Sequence, residues 1–160
     1  MKVREIMTED VKTCAPDNSL SEAAAVMWDV DCGVVPVVGD DGKLVGMITD
    51  RDIAIALGTR NRLASDIRVS EAMSKQVYSC AADDDIHAAL KTMRKDRVRR
   101  LPVVNQEGLL EGIVSINDIA LHAERFDGHR TKDLTYDDFV NTFKTICEHR
   151  HTAQQKMAAH

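Results

Sequence analysis

Sliding the chain by 66 residues lays Val3–Ala56 over Val69–His122 without an insertion, and 18 of the 54 aligned positions are identical. Met7 falls on Met73 and Cys14 on Cys80. Pro36-Val37-Val38 falls on Pro102-Val103-Val104, and Gly42, Gly46 and Asp52 fall on Gly108, Gly112 and Asp118. Two long copies are not a solenoid, which needs at least three short repeats to bury its faces. They fit a duplicated half-domain whose halves close on each other with pseudo-twofold symmetry.

Each copy reads the same way. Val11-Lys12-Thr13-Cys14 reads as a short strand, followed by a turn at Pro16-Asp17-Asn18. Ser19 with Glu22 three residues on is a capping box, and Leu20, Ala23, Ala24 and Met27 form an apolar stripe at helical spacing. Repeat two restates the stripe as Ile86, Ala89, Leu90 and Met93. Two β-rich runs, Val34–Val38 and Leu44–Ile48, flank the hairpin signal Asp40-Asp41-Gly42, and a second helix is predicted over Asp50–Leu57. The fold class is therefore α+β, with two β-α-β-β-α motifs packed as one unit. Expected segments are 1–60, 61–125 and a helical extension over 126–160. In the extension, Phe126-Asp127-Gly128 reads as a break. Asp133–His149 reads as a helix carrying Leu134, Phe139, Phe143 and Ile146.

Composition narrows the function. Aromatics are only 4% of the 160 residues, so the core is aliphatic. A net charge of −5 argues against nucleic acid as a partner. No apolar run has membrane-spanning length, and Met1–Ile6 lacks the apolar core of a secretory signal, so a cytoplasmic protein is expected. The four cysteines are scattered without a CxxC pair. No nucleophile elbow, HExxH or P-loop occurs, so a non-catalytic protein is expected.

The motifs resemble the CBS-domain family. They are Met7-Thr8, Val35-Pro36-Val37-Val38 and Gly46-Met47-Ile48-Thr49-Asp50-Arg51-Asp52 in repeat one. In repeat two they are Met73-Ser74, Leu101-Pro102-Val103-Val104 and Gly112-Ile113-Val114-Ser115-Ile116-Asn117-Asp118. The resemblance covers about residues 1–122 and is to a tandem pair, or Bateman module, of the stand-alone bacterial type, some of which are linked to stress or dormancy. It implies a regulatory module that binds an adenine nucleotide (AMP, ADP or ATP, with S-adenosylmethionine as a further candidate). It also implies a homodimer in which apolar helix faces meet, with residues such as Leu20, Met27, Ile53 and Ile55 as the material.

The same resemblance places the ligand in clefts shared between repeats. One pocket joins Thr49 and Asp52 to Tyr78, Ser79, Val98, Arg99, Arg100 and Pro102. The other joins Ser115 and Asp118 to Lys12, Thr13, Gly33, Val34 and Pro36. The Asp of each Thr/Ser-x-x-Asp accepts the two ribose hydroxyls, a role that suits the two oxygens of a carboxylate. Thr49-x-x-Asp52 and Ser115-x-x-Asp118 are equally readable as helix capping boxes. The position three before the strand proline helps hold phosphate in relatives, and here it is Arg99 in repeat two but Gly33 in repeat one. Arg94, Lys95, Arg97, Arg99 and Arg100 crowd one segment whose counterpart in repeat one holds Trp28, Asp29, Asp31, Gly33 and Val34. Guanidinium groups bind phosphate bidentately, so the pocket with Arg99 and Arg100 is the better phosphate site. Cations also suit a helix C-terminus, which is the plainer account of the arginine run. Arg51 is within reach of phosphate too, or else is an exposed first-turn residue. A metal- or redox-responsive protein using Cys14, Cys80 or the Cys147–His151 tail stands as the alternative function. A dimer with degenerate pockets is a third.

Overall fold

The computed structural model of the chain describes residues 1–125 and 134–148. In repeat one, α1 (Leu20–Asp29) is followed by β1 (Val34–Val38), β2 (Leu44–Thr49) and α2 (Asp50–Arg60). A short α3 (Val69–Ala72) opens repeat two, which continues with α4 (Ile86–Asp96), β3 (Arg100–Val104), β4 (Leu110–Ser115) and α5 (Ile116–His122). The extension contributes α6 (Tyr136–Cys147). The break expected at Phe126-Asp127-Gly128 and the tail from His149 onward lie outside the described residues.

Local chemistry sets these boundaries. Ser19 caps α1 and accepts from the Glu22 amide at 3.2 Å, while the Glu22 carboxylate accepts the Ser19 amide at 2.6 Å. β1 and β2 form an antiparallel hairpin whose turn places Gly42 at φ 77°, a left-handed conformation that glycine adopts without a steric cost. A register shift falls between Val37 and Val38, and repeat two reproduces it between Val103 and Val104. The expected leading strand Val11–Cys14 shrinks to one parallel bridge, Cys14 to Val37, with Cys80 to Val103 as its counterpart. Only Cys14 finds partners on β1: its amide donates to Pro36 O at 3.1 Å and its carbonyl accepts Val38 N–H at 2.9 Å. Lys12 and Thr13 stay exposed.

The two repeats exchange their leading segments. Thr8 pairs with Ile113 of repeat two, each amide donating to the other's carbonyl at 2.9 Å. Met47 pairs in the same way with Ser74, at 3.0 and 2.9 Å. The cores follow the exchange. Val3 and Ile6 are buried with Cys80, Ile86, Leu90, Met93, Leu101 and Ile119 in the second core. Ile67 and Val69 are buried with Leu20, Met27, Val35, Ile48 and Ile53 in the first.

This crossing explains the repeated glycines. A Cβ on Gly46 would stand 2.7 Å from Met73 Sδ and 2.9 Å from the Ser74 carbonyl. On Gly112 it would stand 2.8 Å from the Thr8 carbonyl and 3.0 Å from Met7 Sδ. The repeated Met7 and Met73 therefore lie where the partner repeat's strand has no side chain.

α6 breaks the symmetry. It packs on α4 and α5, with Leu134 and Thr142 fully buried and Ile146 nearly so. The matching face of α1 and α2 has no such cover among the described residues. Leu90 is therefore fully buried, whereas Ala24 at the same repeat position is exposed. Leu20 has no exposed surface, which corrects its expected role as dimer surface, whereas Met27 and Ile53 are mostly buried but reach a surface hollow beside Trp28. The stripe faces inward because it packs on the sheet of repeat one and on Ile67 and Val69. Ile55 remains half exposed, and Trp28 is 86% exposed.

Candidate functional site

A cleft of about 530 Å³ opens between the repeats. Its floor comes from strand ends and its walls from the residues just before β3 and at the start of α2. Thr49, Asp50 and Arg51 line one side; Ser74, Gln76, Val77 and Tyr78 line the exchanged segment; Arg97, Val98, Arg99, Arg100 and Pro102 line the other. Of the expected first pocket, Thr49, Arg51, Tyr78, Val98, Arg99, Arg100 and Pro102 are brought together here, across the repeat boundary.

Asp52 and Ser79 do not line the cleft. Asp52 Oδ2 accepts the Thr49 hydroxyl at 2.7 Å and the Thr49 amide at 3.0 Å, and the Asp52 amide donates back to Thr49 Oγ1 at 3.1 Å. That is a complete capping box on α2. Ser115 and Asp118 repeat it on α5, with the hydroxyl contact at 2.6 Å. Ser79 instead lines a separate hollow with Leu44, Val45 and Lys75.

Gly33 and Val34, expected beside Ser115 and Asp118, line the cleft with Thr49 instead. The hairpin register is the reason: Val34 pairs with Thr49, and the Asp50 amide donates to the Gly33 carbonyl at 3.2 Å. The start of a β1-type strand therefore sits beside the cap of its own repeat. By the same register Arg100 pairs with Ser115, and the Ile116 amide donates to the Arg99 carbonyl at 2.8 Å. Lys12, Thr13, Pro36, Ser115 and Asp118 do not line this cleft.

The arginine run divides by function of contact. Arg94 Nη1 donates to the buried Thr142 hydroxyl at 3.0 Å, and Arg97 Nη2 meets Glu148 Oε2 at 3.1 Å. Both are turned toward α6. Arg99 and Arg100 flank the start of β3 on the cleft side, and among the described residues neither has a carboxylate within ion-pair distance. Asp50 is the one acidic side chain lining the cleft; its Oδ2 lies 2.9 Å from where a Cβ on Gly33 would stand. Val34, Met47, Val98 and Pro102 give the opposite wall an apolar surface beside Tyr78, whose hydroxyl accepts from Gln76 Nε2 at 2.7 Å. Met47, Asp50, Ser74, Gln76, Val77 and Ile146 line the cleft without having been expected there, and Arg97 joins them from the arginine run. Gln76 enters only through the segment exchange, and Ile146 only through α6.

Two of the thiols that the sequence offered for metal or redox chemistry, Cys14 and Cys80, are buried. Burial, helped by the charge of Glu22, pushes the Cys14 thiol up to about 11. Burial, helped by Asp84, pushes Cys80 up to about 12. Thiolate is the reactive and ligating form, and both sites disfavour it near neutral pH. No group of three or more metal-ligating side chains gathers among the described residues. In native protein at pH 8, a thiol reagent should label the exposed Cys147 rapidly, and Cys14 and Cys80 only after denaturant is added. Rapid native labelling of Cys14 or Cys80, read by peptide mass mapping, would contradict this placement.

A family model described as CBS domain matches residues 3–59 and again 66–124. The CBS domain-containing protein YhcV of Bacillus subtilis is 38% identical over 120 residues, covering 75% of this chain and 84% of its own length. Among solved structures, Hypoxic Response Protein I with two coordinated zinc ions is similar at a TM-score of 0.70 and 34% identity, over 78% of this chain and 100% of that one. The CBS domain pair of protein MJ0100, in complex with 5-methylthioadenosine and S-adenosyl-L-methionine, is similar at a TM-score of 0.69 and 29% identity, over 76% and 94%. Two family matches in series, each holding one copy of the internal repeat and together building the shared cleft, make this chain a member of the CBS-domain family with its motifs in tandem.

Proposed function

We propose that the chain is a non-catalytic regulatory module that binds an adenine nucleotide in the cleft between its repeats. One observation carries the reading. Two arginines without carboxylate partners among the described residues line a cleft that also offers the apolar side chains of Val34, Met47, Val98 and Pro102 beside Tyr78, with Thr49, Asp50, Arg51, Ser74 and Gln76 as further polar lining. Arginine forks suit phosphate, and a flat apolar wall beside an aromatic ring suits a purine. MJ0100, with adenosyl compounds bound to the same fold, supports the class of ligand. AMP, ADP and ATP are the proposed ligands, with S-adenosylmethionine as the less phosphate-dependent candidate.

The ribose is assigned to the start of α2. Thr49 lines the cleft there, and Asp52, whose Oδ2 is held in the cap and which lines a separate hollow with Ile55 and Thr59, is proposed to turn its other oxygen to the diol when ligand binds. Lys12, Thr13, Pro36, Ser115 and Asp118 are assigned to a second, less phosphate-selective position, with Gly33 and Val34 reassigned to the first. Nucleotide binding favours one arrangement of the two exchanged repeats, and a partner protein reads the difference. A cytoplasmic role is proposed alongside that ligand. Among the described residues no helix is long and apolar enough to cross a membrane. Isothermal titration with the four compounds tests the proposal. Micromolar binding of at least one is expected, and no heat from any of them at millimolar concentration sinks it.

The open face of repeat one is proposed as the homodimer surface. Trp28 projects from it beside a hollow of about 330 Å³ lined by Ala24, Met27, Cys32 and Ile53. A knob and a hole on one patch are what a twofold contact requires, because each copy fills the other. α6 closes the corresponding face of repeat two. Sedimentation velocity should find a dimer at tens of micromolar, and Trp28→Glu should convert it to monomer. Asp29, Asp31 and Asp50 crowd the same face, so added salt should tighten the dimer. An unaltered dimer in the variant would place the interface elsewhere.

A further inference from the structure

The C-terminal helix reaches the cleft. Ile146, from its last turn, is one of the cleft's lining residues, and it is also 9% exposed within the second core. Arg97 lines the cleft as well, and it holds Glu148 one residue beyond the helix end. Arg97 sits in the left-handed region at φ 53°, as the C-cap of α4, so its backbone turns immediately before Val98, Arg99 and Arg100. The three arginines are thus presented by one tight bend. Two of them are without a carboxylate among the described residues, and the third is taken by Glu148. Asp31 holds the matching left-handed position in repeat one, so the arrangement has no twin there.

The grip on α6 is uneven along its length. Its N-terminal part is anchored in several ways. Leu134 is fully buried, Thr135 and Asp138 form a capping box, and His87 Nε2 lies 3.5 Å from Asp138 Oδ2. Its middle is anchored by the fully buried Thr142 with Arg94. Past Ile146, the Arg97–Glu148 pair ties the residue after the helix to the end of α4, with side chains 32% and 62% exposed.

We propose that α6 reports whether the cleft is occupied: a ligand phosphate beside Arg99 and Arg100 takes Arg97 from Glu148 and releases the last turn of the helix. The proposal rests on the nucleotide reading of the cleft. A guanidinium fork serves either a carboxylate or a phosphate at full strength, and phosphate brings more charge. The carboxylate of Glu148 beside the same group also repels the incoming anion. Exposed pairs of this kind are weak, which keeps the exchange reversible and its effect on affinity small. By linkage, whatever holds Glu148 on Arg97 weakens phosphate binding by the same factor.

The test compares AMP with adenosine on wild-type protein and on Glu148→Gln and Arg97→Gln. Titration should show AMP bound roughly two- to five-fold more tightly by Glu148→Gln, with adenosine unchanged. Arg97→Gln should weaken AMP and leave adenosine alone. Amide exchange supplies the second readout. AMP should speed exchange over 144–148 in wild-type protein and leave 136–142 as it was. In Glu148→Gln the same amides should already exchange fast and ignore AMP. If wild-type protein binds AMP but Glu148→Gln matches it in affinity and in exchange, the latch is wrong and the cleft reading stands. AMP that slows exchange over 144–148 likewise overturns the latch alone. If wild-type protein binds neither compound, both fall together.

Discussion

Replacing Arg99 and Arg100 together with alanine should weaken AMP binding by roughly 30-fold, while adenosine binding changes less than about two-fold. Hydrogen bonds to charged groups are worth about 1.5–3 kcal/mol, and a loss of about 2 kcal/mol is about 30-fold in Kd. The full sum of two such bonds is not expected, because Arg51 and Arg97 line the same cleft and share the phosphate's field. The adenosine control separates a phosphate contact from a general collapse of the site. Arg100 is part of β3 and half buried, so circular dichroism and the melting temperature of the variant should stay near wild type for the comparison to hold. Equal losses for AMP and adenosine would show that the arginines shape the cleft and do not read phosphate. The AMP affinity of wild-type protein should also fall with added salt more steeply than that of the double variant.

The second large effect concerns the seam between the repeats. Gly46→Ala and Gly112→Ala should each destabilise the fold by about 2 kcal/mol, the range for overpacking a filled interior. For a chain of this size that lowers Tm by roughly 4–8 °C. The methionine sulfur on each side has some freedom to yield, but the opposing carbonyls of Ser74 and Thr8 belong to the paired backbone and do not. Either substitution pushes the exchanged segment off its strand and strains the bridges Met47 to Ser74 or Thr8 to Ile113. Gly58→Ala is the control. It lies in α2 with nothing within 4 Å of the added carbon, and there alanine should raise stability by about 0.5–1 kcal/mol. A Gly46 variant that melts with wild type would mean the seam is slack.

Much of the architecture was readable because the repeat supplies its own check. The capping boxes at Ser19, Thr49 and Ser115 fall where the spacing put them, and the stripe Ile86-Ala89-Leu90-Met93 is buried, as are Leu20, Ala23 and Met27 of its counterpart but not Ala24. The hairpins form around Gly42 and Gly108. The partners of Arg94 and Arg97 were not readable, for a physical reason. A run of cations in sequence gives no hint that residues 48 and 51 positions later, in α6 and just past its end, will pair with two of them. Ala24 and Leu90 occupy one repeat position with opposite exposure for the same reason, since cover by α6 is a tertiary fact. The crossing of leading segments is equally silent in a pattern of local periodicity. Its only trace is the coincidence of a bare glycine in each second strand with a methionine at each repeat's start, and that trace has meaning only once the two are seen to touch. The two glycines were legible as repeated positions, but their reason was not.

The exchanged segments also bear on how the chain is made. Synthesis delivers the N-terminus first, yet Val3 and Ile6 belong to a core completed by Leu101, Ile119 and Ile146. Thr8 cannot pair until Ile113 has left the ribosome. The first half therefore emerges with its own core lacking Ile67 and Val69 and its leading residues waiting for the second. Long-range closure of this kind slows folding and leaves apolar surface open during translation. A nascent chain stalled after repeat one is the species that should most engage chaperones, and the appearance of Ile113 is the moment at which that engagement should end.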